Sequence, residues 1–250
     1  MLVAVKPMSA PARPKPVVYS RGSLLSRLTP DQIRDLFAVG HPVTYPADHT
    51  IVRQGRNLPP LLLLRSGFIK AMRRALRGSH PAIVDVYGPG DVLGAEAMYA
   101  SKFAHVDFVT TQDVTAYLVP QHQFLEHLNR HPAVMRQLMV TFAHRVRQRE
   151  AALAYSRHEV RERLIAFLNR QQVFYGVKTD CGDLIDMGLN RCDIGAAIGA
   201  SDAAVDDALR RLREDGHIKT GYKKIWITRR LSEELSPELR TEPPSPEALG

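Results

Sequence analysis

Between about Val43 and Val119 the apolar positions come in short runs, and turn residues cut the runs apart. Val43-Thr44-Tyr45, Thr50-Ile51-Val52, Leu61 to Leu64, Phe68 to Met72, Ala82 to Tyr87, Phe108 to Thr111 and Thr115 to Val119 are each of strand length. Gly55, Ser66-Gly67, Gly78-Ser79 and Gly88-Pro89-Gly90-Asp91 separate them. Short strands at this spacing predict a compact barrel or sandwich. A short helix should precede them at Leu28-Thr29-Pro30-Asp31, because Thr29 can cap and Pro30 suits the first helical position.

At Pro132 the pattern becomes helical. Met135, Leu138, Phe142, Val146 and Leu153 recur at spacings of three, four and seven. That is one apolar stripe on a long helix otherwise filled with Arg, Gln and Glu. The stripe has two readings: a helix packed on its own strands, or a coiled-coil-like seam between two copies. The length and polarity of the helix exceed what a small barrel can cover, which favours the seam. Arg149 falls near the stripe, as an imperfection or as a ligand contact. The rest of the second half reads as helical, with one hairpin near the end. Residues 1–20, rich in Pro, Ala and basic residues, read as a flexible arm, and 231–250, rich in Pro, Glu and Ser, as a flexible tail.

The most specific local signal runs from Asn190 to Leu212. Asn190 caps a helix, with Asp193 three residues on. Ile194 and Ile198 face inward, Gly199 makes a tight turn, and Ser201 caps a second helix with Val205, Ala208, Leu209 and Leu212 inside. This is a helix-turn-helix, whose second helix would enter a DNA major groove. Gly216 ends it, and His217 to Thr228 reads as a wing hairpin.

Charge agrees with a polyanionic partner without proving one. The 250 residues hold 34 Lys and Arg against 26 Asp and Glu, a net charge of +8. Two cysteines, Cys181 and Cys192, are too few for a disulfide scaffold or a four-ligand zinc site. Cys192 is expected to be buried and Cys181 incidental. No run approaches the ~20 apolar residues of a membrane span, and no signal peptide is expected at the N-terminus. A cytoplasmic protein is the default. No nucleophile–base pair, metal motif or Gly-rich nucleotide loop stands out, so no enzyme is expected.

The order of parts resembles the CRP/FNR family of bacterial transcription regulators, over about Gly22 to Arg230. Its markers here are Tyr45-Pro46-Ala47, Arg65-Ser66-Gly67, Gly88-Pro89-Gly90-Asp91-Val92-Leu93-Gly94, Pro120 with Phe124, and His131-Pro132. The resemblance implies an α+β chain. A cyclic-nucleotide-binding-like, jelly-roll-like β-roll would span 21–131, a dimerisation helix 132–156, and a winged helix-turn-helix domain 157–230. It also implies double-stranded DNA, a second copy of the chain and RNA polymerase as partners, with no membrane. The DNA-facing residues would be Arg191, Ser201, Asp202, Ala203, Asp206, Asp207, Arg210, Arg211, Lys219, Lys223 and Lys224.

Two departures shape the functional expectation. Cyclic-AMP-binding members carry Gly-Glu-Leu, then about ten residues on an Arg followed by Ser or Thr, which hold ribose and phosphate. Here Gly94 is followed by Ala95, Glu96 comes one place late, and the later pair is His105 and Val106. Losing such contacts in a buried site costs about 2 kcal/mol or more apiece. The pocket-facing turn of the long helix is expected at Arg149-Glu150. Cyclic AMP is therefore not expected. A different ligand held by Arg149, cyclic di-GMP for instance, and an effector-independent roll both stay open; haem on His80, His105 or His122 is a remote alternative. The second departure is the acidic recognition helix. Asp202, Asp206 and Asp207 stand where the family commonly has basic or reading residues. Three aspartates there either favour the helix dipole or accept from cytosine N4. The remaining rival is a protein-contact regulator that does not read DNA.

Overall fold

The computed structural model describes residues 18–74, 81–98 and 102–234. Gly78-Ser79, His80 and nearly all of the predicted arm and tail lie outside the described residues. The chain forms two units, one up to Arg147 and one from Gln148.

In the first unit, Thr29 caps helix α1 (Pro30–Ala38). Its side chain accepts from the Gln32 N–H, and the Gln32 side chain answers the Thr29 N–H. Among the described residues eight strands follow: β1 (His41–Tyr45), β2 (Thr50–Val52), β3 (Leu61–Ser66), β4 (Ile69–Arg73), β5 (Ala82–Tyr87), β6 (Val92–Leu93), β7 (Asp107–Thr110) and β8 (Val114–Val119). They make two antiparallel sheets of order β1-β8-β3-β6 and β2-β7-β4-β5. Sequence-distant strands are neighbours in both, which is the jelly-roll pattern. The Leu run of β3 is buried on both faces. Leu62 and Leu64 join Ile69, Val106 and Phe108 between the sheets. Leu61 and Leu63 face the other way, onto Leu24, Leu36, Phe124 and Leu128. Two helices, α2 (Gln121–Arg130) and α3 (Pro132–Tyr155), follow β8.

The face of α3 that packs on the roll is Val134, Leu138 and Thr141. Leu138 is fully buried there, so it is not part of an open seam as the spacing predicted. Its neighbour Met139 is 45% exposed. Met139, Val146 and Leu153 recur every seven residues and are all exposed, while the half-buried Met135 and Phe142 pack partly against the core of the roll. With Met139 in place of Leu138, the steps along Met135, Met139, Phe142, Val146 and Leu153 are four, three, four and seven, which keeps a heptad repeat.

The second unit adds α4 (Val160–Tyr175), β9 (Val177–Thr179), β10 (Gly182–Ile185), α5 (Arg191–Ile198), α6 (Asp202–Glu214), β11 (Ile218–Gly221) and β12 (Lys224–Ile227). The sequence predicted one hairpin here; there are two, joined into a sheet of order β11-β12-β10-β9. The second escaped prediction because Val177-Lys178-Thr179 is exposed throughout and has no in-and-out alternation.

Candidate nucleic-acid interface and effector pocket

The helix-turn-helix assembles from local chemistry. Asn190 accepts from the Asp193 N–H at 2.9 Å, and Asp193 accepts from the Asn190 N–H at 3.1 Å. This reciprocal box starts α5. Gly199 ends it in the left-handed region, φ 65°, where a side chain would be strained. At Gly195 a Cβ would stand 2.7 Å from the Ala200 carbonyl oxygen, so only glycine lets the turn pass this close. Arg163 of α4 donates to the last carbonyls of α5, Ile198 at 2.6 Å and Gly199 at 2.9 Å. Ser201 then caps α6 by accepting from the Ala204 N–H. Val205, Ala208, Leu209 and Leu212 are buried, as the periodicity predicts.

The opposite face of α6 carries Asp202, Ala203, Asp206, Asp207, Arg210 and Arg211. Its aspartates are engaged by neighbours. Asp206 meets Arg191, at the start of α5, at 3.0 Å. Asp207 meets Arg210 through one oxygen and Arg211 Nε through the other, the latter at 2.9 Å. Arg210 also reaches Glu214 at 3.1 Å. The Cys192 thiol donates to Asp202 at 2.9 Å, and this bond pushes the thiol pKa up. Cys192 is exposed, not buried as expected, because position two of α5 points at α6 and not at the core. Cys181 is exposed in the β9–β10 turn.

The wing is a hairpin closed by Tyr222 and Lys223, with Gly221 opposite Lys224. Lys223 has φ 54°, a left-handed conformation that favours glycine. Its ammonium lies 5.9 Å from the ring centre of Tyr222, which is 88% exposed. Lys224 pairs with Asp186 at 3.0 Å, and Lys219 is exposed on β11. The predicted basic residues therefore fall on three adjacent elements: the start of α5, the outer face of α6 and the wing.

In the roll, Gly94 (φ 83°) borders a small apolar cavity of about 10 Å³ with Leu62, Leu93 and Phe108, room for about one water molecule. Ala95 is buried and opens a 3₁₀ turn that also contains Glu96. Val106 is buried in the core between the sheets, while His105 is exposed on the loop before β7. Arg149 and Glu150 are exposed on the part of α3 that belongs to the second unit.

The charged residue that α3 does give to the roll is Arg145, which the spacing did not single out. It pairs with Asp85 and Asp91, each at 2.8 Å, and lies 4.1 Å over the Tyr87 ring. Asp91 also accepts from the Gly88 N–H at 2.8 Å. Burial pushes the Asp91 carboxyl up, although Arg145 and the Gly88 N–H pull it down. Its partners lie more than fifty residues away in sequence, so only β5 and the following turn bring them to α3. Among the described residues no cluster of three or more His, Cys, Asp or Glu could hold a metal ion. No described helix is long and apolar enough to cross a membrane.

Comparison with known proteins adds to this geometry. Residues 42–131 match the cyclic nucleotide-binding domain family, and residues 162–231 the Crp-like helix-turn-helix domain family. A CRP-like cAMP-activated global transcriptional regulator of Mycobacterium tuberculosis is 24% identical over 212 residues, 84% of this chain and 94% of that protein. Among solved structures, FixK2 from Bradyrhizobium japonicum superposes with a TM-score of 0.68 at 19% identity, over 82% of this chain and 99% of its own. The c-di-GMP responsive global regulator CLP of Xanthomonas campestris superposes with a TM-score of 0.66 at 16% identity, over 80% and 100%.

Proposed function

Because the chain belongs to the CRP/FNR family of transcription regulators, to which both of its domains point, we propose that it acts as a dimer that reads a two-fold DNA site without cyclic AMP. The observation that carries the DNA-reading part is the capped α5–turn–α6 unit with its wing. It presents one exposed helix face flanked by Arg191, Lys219 and Lys223. Phosphate contacts by these cations supply affinity, and the outer face of α6 supplies base readout. Two half-sites lie about one helical turn apart when the reader is a two-fold dimer. The exposed heptad of Met139, Val146 and Leu153 supports that dimer.

Against cyclic AMP stand three features of the roll. Val106 is core and offers no donor, His105 is turned to solvent, and Leu62, Leu64, Ile69 and Phe108 pack between the sheets, where Leu62 and Phe108 border a cavity of about 10 Å³. The half-buried Arg145 of α3 is committed to two carboxylates of the chain itself. On this reading the cAMP activation named for the Mycobacterium relative does not carry over. The roll is a scaffold independent of an effector, and the protein works in the cytoplasm on double-stranded DNA beside RNA polymerase.

A second reading is favoured by one observation: Arg191, Arg210 and Arg211 are already paired with carboxylates, as on a surface made for a protein partner. Selection from a random DNA pool separates the two. A motif of two related half-sites supports the DNA reader; enrichment no better than non-specific DNA supports the protein-contact rival.

A further inference from the structure

We propose that Asp207 is a positioning residue that aims the fork of Arg211 at a guanine in each half-site. This rests on the DNA-reading function proposed above. A carboxylate reads cytosine by accepting from its N4 amino group, which needs a lone pair turned outward. Both oxygens of Asp207 are turned instead to its own helix, one to Arg210 and one to Arg211. The two arginines are held differently. Arg210 is gripped at both ends, at Nη2 by Asp207 and at Nη1 by Glu214. Arg211 is held at Nε, the back of the guanidinium, at 2.9 Å. That contact leaves Nη1 and Nη2 for another partner, the two donors that meet guanine O6 and N7. Its side chain is 61% exposed.

The direction of the side chain fits the role. Helical side chains lean toward the helix N-terminus. The Arg211 head therefore lies over the turn that carries Asp207, in the part of α6 nearest the base edges. The carboxylate fixes a long side chain before DNA arrives, so less rotamer freedom is lost on binding. The stripe of aspartates is then not a reading code. Asp207 aims a cation, Asp206 ties Arg191 to α6, and Asp202 takes a thiol hydrogen bond.

The test is site selection with the full-length protein and four variants: Asp207→Ala, Arg211→Ala, the double variant and Asp207→Asn. Circular dichroism confirms that each is folded. The wild type should enrich a G·C pair at one position of each half-site. Asp207→Ala and Arg211→Ala should both lose that preference, by about tenfold to a hundredfold, at the same base pair. The double variant should lose no more than Arg211→Ala alone, and Asp207→Asn, which keeps the shape of the side chain but not the charge that pairs with Nε, should lose the preference as Asp207→Ala does. The proposal is overturned if Arg211→Ala keeps the G·C preference that Asp207→Ala loses, because Asp207 then reads cytosine directly. It is also overturned if the two single variants act at different base pairs. A wild type that selects no motif overturns the DNA-reading function itself.

Discussion

Replacing Arg145 by methionine removes one cation from the roll while keeping an unbranched, helix-compatible side chain of similar reach. The carboxylates it leaves are not on the surface: the side chain of Asp91 is 4% exposed and that of Asp85 16%. Removing one partner of a buried ion pair costs about 3–5 kcal/mol, because the remaining charge is uncompensated. The stacking over Tyr87 adds about 1 kcal/mol. Against a total stability of about 5–15 kcal/mol, Arg145→Met should lower the unfolding free energy by about 4–6 kcal/mol near neutral pH. The loss should also depend on pH, with a definite sign. The native pKa of Asp91 is raised, so the native state binds the proton more readily than the unfolded chain. Stability from that source is present at low pH and is lost as pH rises through the native pKa. Without Arg145, the Gly88 N–H alone among the described groups opposes the effect of burial, and the native pKa climbs further. The deficit of the variant should therefore be largest near neutral pH and shrink on acidification. Urea unfolding followed by far-ultraviolet circular dichroism, near pH 7 and near pH 5, measures both quantities. The single tryptophan, Trp226, is on β12, so its fluorescence follows the winged helix and not the roll. A deficit below about 1 kcal/mol, or one unchanged between the two pH values, refutes the reasoning.

Three further outcomes are expected. Val146→Asp, at an exposed heptad position, should turn a dimer into a monomer in light scattering at micromolar concentration; a monomeric wild type, or a variant that stays dimeric, rules out the seam. Titration calorimetry with cyclic AMP should show no binding as tight as about 1 µM, roughly −8 kcal/mol, and a tighter constant means that the roll has a site which Val106 and His105 do not close. Lys223→Gly should move two measurements in opposite directions. It relieves a left-handed side chain and leaves the unfolding free energy unchanged or higher by up to about 1 kcal/mol, while it weakens binding to every DNA sequence and lowers the salt slope by about one; equal losses of both would show that the lysine is structural.

The helix-turn-helix was legible because its signals are local. Asn190, Asp193, Gly199 and Ser201 are caps and turns that act over three or four residues, and the inner face of α6 repeats with the helix itself. The strands of the roll were legible for the same reason, through the turns between them. What the sequence hid depends on contacts between distant segments. Leu138 and Met139 fit an apolar stripe equally well by spacing, and only the roll decides which of them is covered. Arg145 looks like any basic residue of a polar helix until β5 brings Asp85 beside it. Asp207 was legible as an outward residue of α6, but not its two arginine partners, because spacing gives proximity and not which atom points where.

Arg163 gives the bend between α5 and α6 an owner outside the bend. Its guanidinium reaches from α4 to the two carbonyls that end α5, oxygens that a helix terminus leaves without a partner of its own. The angle at which the recognition helix leaves the domain is thus fixed partly by a residue thirty-five positions earlier in the chain. In a genetic screen for lost repression or activation, substitutions at Arg163 should score alongside those on α6 itself. A map of such phenotypes drawn on the DNA-facing surface alone would then miss one of its causes.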